Sequence, residues 1–334
     1  METVVSGTRP TGKIHLGNYF GAIKNYVKMQ DDFNPCYFFI ADYHSLTTHH
    51  NPELLPVYVR RTLATYLACG LDPEKATIYL QSDLPQIPEL YLLLSMYAYK
   101  SELEKVATFK EKIRQKNVSV NAGLLTYPVL MAADIIIHKA HKVPVGKDQQ
   151  QHLEMTRNFS NRFNHMVGED FFPEAQGFSY SNELLKILSL DGSGGKMSKS
   201  DTNQNNAIYL LDDDKTIEKK IKRAKTDSGP TEKNSPLTPG IEALFGLMEC
   251  VSKPEVLADF KNQYANADIK YGYVKVQLAK DLIEYIAPIR EKIITLENDI
   301  DYLAEVVSIG GKKARESAQK TVDGARRLLG IHYF

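Results

Sequence analysis

Between Gly192 and Ser200 the chain reads GSGGKMSKS. Gly192, Gly194 and Gly195 with Ser193 cannot hold a regular element, because glycine enters the left-handed region almost freely. Lys196, Lys199, Ser198 and Ser200 hang two ammonium groups and two hydroxyls on that hinge, with Met197 between them. Cationic donors on a movable loop suit a polyphosphate that is gripped during reaction and released afterwards. A solvated surface turn has similar letters, so the reading depends on a partner elsewhere in the chain. Near the N-terminus stands His15-Leu16-Gly17-Asn18. Free N–H groups at a helix start attract anions, and Gly17 lets a flat ring or a phosphate approach the main chain. His15 alone is more often a helix-end histidine than a catalyst. Glycine spacing of the GxGxxG kind is absent here, which argues against a nicotinamide or flavin site. A third candidate is Asp134, at the i+7 position from Tyr127 and i+3 from Met131, in a stretch dominated by Leu124, Leu125, Val129, Leu130 and Ile135–Ile137. A helix puts these three on one face. An unpaired carboxylate there is costly, so Asp134 needs a donor, within the protein or on a ligand.

The elements that must position these groups are legible from periodicity. Thr3–Ser6 is a β-branched run stopped by Gly7, Pro10 and Gly12, and apolar residues recur at helical spacing from Ile14 to about Met29. Cys36–Ile40 reads as a second buried strand ending in Ala41-Asp42-Tyr43-His44, and Thr77–Leu80 as a third. Helices are predicted over Pro52–Cys69, over Pro88–Lys116 with a break near Tyr99–Ser101, and over Gly123–Ala140. Strand, Gly/Pro loop and helix in this order predict a doubly wound α/β domain with a parallel sheet, whose ligands lie beyond the carboxyl ends of the strands. After Asp201 the pattern turns helical and charged. Asp212–Asp214 open a helix whose later lysines and Arg223 match the macrodipole, and a Pro/Gly/Ser-rich loop spans Asp227–Gly240. Helices follow around Ile241–Cys250, Pro254–Ala265, Val274–Thr295 and Asn298–Val307, with a last one over Lys312–Leu329.

The chain has 334 residues, 43% hydrophobic and 25% charged, with a formal net charge of zero. That length suits two domains, and no apolar run is long enough for a membrane span. Cys36, Cys69 and Cys250 are far apart, which fits a reducing cytosol better than a disulfide framework or a metal cluster. Zero net charge means that any RNA contact must come from local patches. Two are available: the string Lys110–Lys116, and Lys219, Lys220, Lys222, Arg223 and Lys225. The first is the usual pattern of a solvated face, and the second reads equally as one. A phosphate of RNA or, for the first, of a nucleotide is the alternative.

KMSKS is the second signature of the class I aminoacyl-tRNA synthetases, and HLGN resembles their HIGH signature. LLTYPVLMAADI resembles the specificity helix of the bacterial tryptophanyl-tRNA synthetases, and VPVGKDQ at Val143–Gln149 resembles a strand and loop of that family. The resemblance covers most of Gly7–Lys225. It implies a class I Rossmann-like domain over residues 1–200, a helical anticodon-binding domain over 201–300 and a final helix, about 300–334, that returns to the catalytic domain. It implies activation of tryptophan with ATP and Mg²⁺, no dedicated metal site, transfer to tRNA(Trp), a homodimer and a cytoplasmic location. By position, Asp134 would accept the indole N–H. Met131 would flank the ring, Tyr127 and Gln149 would hold the amino group, and Val5, Gly7 and His44 would complete the amino-acid site. Arg9, Pro10, Thr11, Gly17, Gly146, Lys147, Asp148, Ile187, Met197, Ser198 and Ser200 would seat ATP. Lys196, Lys199, His15 and Asn18 would serve the phosphates during reaction. Three positions depart from the pattern. His15 stands where threonine is common, Val5 where an aromatic often lines the indole pocket, and Lys147 where an acid is common. A tyrosine-activating synthetase shares the layout; a non-catalytic RNA-binding paralogue should lack the loop lysines; a small nucleotidyltransferase should lack the helical C-terminal third.

Overall fold

A computed structural model of the chain describes residues 2–47, 51–114, 120–144, 146, 149–180, 187–198, 203–331 and 333. Five strands, β1 (Val4–Thr8), β2 (Cys36–Ile40), β3 (Thr77–Leu80), β4 (Lys142–Pro144) and β5 (Gln176–Phe178), form one sheet in the order β3-β2-β1-β4-β5. Every pairing is parallel, with Gly7 opposite Phe39 and Phe39 opposite Tyr79. The strand order reverses between β1 and β4. A crevice therefore opens beyond their carboxyl ends, where open α/β sheets take their ligands. Arg9–Thr11 follow β1, and Gly146 and Gln149 follow β4, so these site candidates stand at that crevice.

Successive residues of a strand point to opposite faces, and both faces here are apolar, as parallel sheets require. Val4, Phe38, Ile40 and Ile78 face one buried cluster; Val5, Tyr37, Phe39 and Tyr79 face the other. The first cluster takes in the helices Leu54–Ala68, Asp214–Arg223, Pro239–Val251 and Tyr271–Asn298, so the helical C-terminal part shares a core with the sheet. Arg61 pairs with Glu297 at 3.0 Å and Tyr19 Oη lies 3.0 Å from Tyr285 Oη across this join. The second cluster is closed by Gln86–Ser95, Ala122–Ile136, Gln150–Val167 and Ile300–Leu328.

The strand β5 and a short helix at Asp42–Ser45 are not expected from periodicity, and two longer elements differ from it in form. Residues 16–32 are helical but contain a π-helical turn at Tyr19–Ile23 between Leu16–Asn18 and Lys24–Asp32. The two helices expected around 298–307 and 312–329 are one helix, Ile300–Leu328. Gly310-Gly311 looks like a break in sequence, but here it is a contact surface. A Cβ on Gly310 would lie 1.8 Å from the Ile78 carbonyl oxygen, so only glycine lets this helix lie on β3. Ala314, Ala318, Val322 and Ala325 continue the close approach. His138 ties the same helix to the sheet: it hydrogen-bonds Tyr79 Oη and Ser317 Oγ, both at 3.1 Å, and burial pushes its pKa down to about 3, so it stays neutral. Gly310→Ala should therefore destabilise the protein by roughly 3 kcal/mol or more, because backbone cannot yield as a side-chain tip can. Denaturant unfolding measures it; an unchanged midpoint would mean that the helix is not seated on β3.

Candidate active site

Asp134 comes from the Ala122–Ile136 helix, which Asn121 caps by accepting the Leu124 N–H at 2.8 Å. Its carboxylate is 1% exposed, so the partner demanded by its apolar surroundings must exist. Two residues supply it. Gln81 Nε2 donates to Oδ1 and Oδ2 at 2.8 and 2.9 Å, and His44 Nε2 donates to Oδ2 at 2.8 Å. The His44 main-chain N–H donates to Gln81 Oε1 at 3.4 Å, which fixes the orientation of that amide. His44 was expected here by resemblance. Gln81 was not, although it follows the apolar run of β3 at the ligand edge and so belongs to the place where polar residues act. Burial raises the Asp134 pKa above its ordinary value, while the hydrogen bonds and charge of His44 and the hydrogen bond from Gln81 pull it back. A carboxylate has about four acceptor positions. These donors occupy two on Oδ2 and one on Oδ1, so Oδ1 retains an acceptor position for a ligand N–H.

Beside this clamp, Tyr127 Oη lies 2.6 Å from His152 Nε2 and also hydrogen-bonds Thr108. Burial raises its pKa, and the positive charge of Arg9 opposes that shift. Lys112, on the Ala107–Arg114 helix, is held below its usual pKa by partial burial and by the same Arg9 charge. Arg9, Lys112 and Tyr127 thus converge at the crevice, and among the described basic residues of the string Lys112 is half-buried while Lys110 and Arg114 are exposed. Val5 and Pro10 are buried, while Gly7, Thr11, Met131, Gly146 and Gln149 are half-buried around the crevice.

The two signatures are packed together. Met197 is 4% exposed, and its Cβ lies 3.4 Å from where a Cβ of Gly17 would stand. The Met197 N–H donates to the Ile187 carbonyl at 2.9 Å, and Ser189 N–H to the Gly195 carbonyl at 2.8 Å, so the start of the lysine loop is stitched to residues 187–189. Gly192 and Gly194 both have φ of +74°, the conformation expected for this hinge. The Lys196 side chain is exposed and Ser198 is half-buried. Lys147, Asp148, Lys199 and Ser200 lie outside the described residues.

The helix start at His15 is more occupied than expected. His15 is 2% exposed and caps its own helix, with Nδ1 accepting the Asn18 N–H at 3.3 Å and its carbonyl accepting the same N–H at 2.9 Å. The Leu16 N–H donates to the Ile208 carbonyl at 2.9 Å. These N–H groups are therefore taken. What remains aimed inward is Asn18 Oδ1, a buried acceptor with no partner among the described residues. The segment that holds His15 is itself held by Lys220, which donates to Asp212 Oδ2 at 2.7 Å and to the Ala207 carbonyl at 2.9 Å. The Lys220–Asp212 pair is 5% exposed on each side, so Lys220 leaves the basic face on which sequence placed it and becomes a buried strut.

A parallel sheet with a β1/β4 switch point, a glycine-hinged lysine loop packed on a helix start, and a buried carboxylate beside them define a class I synthetase site. The family described as "tRNA synthetases class I (W and Y)" matches residues 2–287, and the chain belongs to it. Within that family it falls in the tryptophan branch. It is 54% identical over 331 residues to the tryptophan–tRNA ligase of Porphyromonas gingivalis, covering 99% of this chain and 100% of that one. Its identity to the tryptophan–tRNA ligase of Rhodopirellula baltica is 42% over 329 residues, covering 98% and 99%. Among solved structures, tryptophanyl-tRNA synthetase of Campylobacter jejuni, complexed with ADP and tryptophan, superposes with a TM-score of 0.85 at 33% identity, covering 98% of this chain and 99% of that one. Ligation of tryptophan to tRNA is the activity of the branch.

Proposed function

We propose that this site activates L-tryptophan with ATP·Mg²⁺ and then transfers the tryptophanyl group to tRNA(Trp). The observation that carries the amino-acid choice is the Asp134 clamp: a dry carboxylate with one acceptor position left on Oδ1 selects a substrate N–H inside an apolar pocket. Met131 and Tyr127 line its approach, with Gln149 near the amino group. ATP occupies the switch-point crevice, where Arg9–Thr11, Gly17, Asn18 and the loop after β4 seat it. Asn18 Oδ1 supports this role as a buried acceptor left for a ligand donor. Among the described residues no group of three or more His, Cys, Asp or Glu is arranged to hold a metal ion, and Mg²⁺ enters as part of the nucleotide.

No side chain need become covalently attached. A carboxylate oxygen of tryptophan attacks the α-phosphorus in line, and the bond to the bridging oxygen of the β-phosphate breaks. Pyrophosphate then leaves with that electron pair. Catalysis is positioning plus charge stabilisation. Lys196 and Lys199 receive the charge that develops on pyrophosphate, with Lys112 and Arg9 adding positive charge at the crevice. A ribose hydroxyl of tRNA then attacks the acyl carbon and AMP departs.

The helices between 214 and 298 are proposed to receive the anticodon arm. Lys219, Lys222, Arg223 and Lys225 are exposed and remain on the basic face after Lys220 is removed from it. If they meet phosphates, the affinity for tRNA should fall with salt at a log–log slope of roughly −0.7 to −0.9 per contact. Neutralising all four should flatten that slope and leave pyrophosphate exchange intact.

A homodimer is proposed on the side of the Gln86–Ser95 helix. There an apolar cleft of about 300 Å³ is lined by Tyr43, Leu46, Pro88, Tyr91, Tyr127 and Leu130. Leu46, Leu92 and Met96 are 52%, 52% and 67% exposed, more than isolated surface apolar residues require. A second copy buries them and places Tyr127 close to both the interface and the amino-acid site. The reducing cytosol fits the thiols. Burial pushes Cys36 and Cys69 up to about 12 and Cys250 up to about 11, which keeps them protonated. No helix among the described residues is long and apolar enough to cross a membrane.

The test is amino-acid-dependent ATP–pyrophosphate exchange across all twenty amino acids. Tryptophan alone should support rapid exchange; preference for tyrosine would overturn the reading.

A further inference from the structure

We infer that Phe39 forms the floor of the amino-acid pocket and sets the size of ring that it accepts. The inference rests on the tryptophan reading above and adds a residue to it. In the parallel register Gly7 of β1, Phe39 of β2 and Tyr79 of β3 stand in one row across the sheet. Paired positions share a face, and this face is the one covered by the Ala122–Ile136 helix that carries Asp134. Two residues beyond Tyr79, just past the end of β3, comes Gln81, which grips Asp134. Five residues beyond Phe39 comes His44, which grips it too. The row Gly7–Phe39–Tyr79 therefore lies directly beneath the clamp. The charge of Asp134 reaches it as well: burial first and then that carboxylate raise the pKa of Tyr79.

Within the row Gly7 has no side chain, and the ring of Phe39 fills the space. A Cβ on Gly7 would stand 2.6 Å from both Cε2 and Cζ of Phe39. Phe39 leans over Gly7, from β2 towards β1, so a side chain at residue 7 would have to displace that ring. Gly7 lies at the carboxyl end of β1 and is half-buried, so a flat substrate ring that approaches its main chain meets the Phe39 ring. Val5, the preceding residue of β1 on this face, is fully buried and aliphatic. The aromatic surface of the pocket on this side of the sheet thus comes from β2, not from β1. Tyr79, with its ring 5.7 Å from that of Phe39, braces it from behind.

The test is pyrophosphate exchange by wild type, Phe39→Leu and Phe39→Ala. The substrates are tryptophan and tryptophans methylated at each position of the benzo ring in turn. One methylene in an apolar pocket is worth about 10-fold or more in kcat/KM. Phe39→Ala should therefore raise KM for tryptophan by about that factor, leave KM for ATP unchanged, and improve kcat/KM of at least one methylated analogue relative to tryptophan by about 10-fold. Phe39→Leu, which keeps the core filled, should fall between the two and reads the effect if the alanine variant does not fold. Should every analogue keep its wild-type ratio to within about twofold while the melting temperature drops, Phe39 is core filling and the inference is wrong. Absence of tryptophan-dependent exchange in the wild type would overturn the tryptophan reading, and this inference with it.

Discussion

Replacing Asp134 with asparagine should lower the preference for tryptophan over phenylalanine by about 100-fold or more, because a hydrogen bond to a buried charge is lost where phenylalanine makes none. The geometry says why so small a change should act so strongly. Gln81 Nε2 already points its hydrogens at both carboxylate oxygens and His44 Nε2 points at one of them. An asparagine amide would set N–H against N–H on one side, or turn over and leave its weaker neutral oxygen for the substrate. Neither arrangement offers the ionised acceptor that an indole N–H finds on Oδ1. Phenylalanine has no donor and should lose little. The measurement is kcat/KM for both amino acids in wild type and variant; an unaltered ratio would remove Asp134 from the role of indole reader. A pH dependence follows with a definite sign. Burial places the Asp134 pKa above the ordinary 3.8, so on acidification the carboxylate is lost earlier than an exposed aspartate would be. KM for tryptophan should therefore begin to rise on the acid side at a higher pH than 3.8, and that limb should vanish in Asp134→Asn.

Lys196→Ala should reduce kcat for adenylate formation by ~10²–10³-fold, the loss typical of removing one preformed charge donor, with a much smaller rise in KM for tryptophan. The main chain at this position is held independently of the side chain, through the Leu188–Lys196 bridge and the Met197–Ile187 hydrogen bond. Met197 remains buried against Gly17 whatever occupies residue 196. The substitution therefore removes an exposed ammonium group without opening the core, and a change in kcat can be assigned to charge. The split between kcat and KM carries the result. Charge that develops only as pyrophosphate leaves is stabilised in the transition state and not in the ground state. Unchanged kcat in a folded variant would reduce the loop to a surface turn.

Much of the architecture was legible in the amino-acid sequence because it rests on local patterns. The runs Thr3–Ser6, Cys36–Ile40 and Thr77–Leu80 announce β1, β2 and β3, since strand length, β-branching and flanking glycine are local properties. The hinge at Gly192 and Gly194 follows from residue type alone, and both glycines adopt positive φ. The need of Asp134 for a donor follows from the apolar letters around it, and His44 and Gln81 answer that need. The family too was readable from its motifs.

What tertiary structure decided were the pairings between residues far apart in the chain. Nothing local joins Gln81 to Asp134, Lys112 to Arg9 or Met197 to Gly17; the order β3-β2-β1-β4-β5 and the helices packed on it do so. Lys220 looks like one more member of a cationic face, yet Asp212 and the Ala207 carbonyl draw it into the core. Gly310-Gly311 looks like the end of a helix. Lone glycines weaken a helix by losing backbone entropy and side-chain packing, but here the missing side chain is what allows contact with β3, and one 29-residue helix results. Residue 7 follows the same physical logic. A glycine's freedom is written in the sequence, but the Phe39 ring that lies across residue 7 does so only once two strands are side by side.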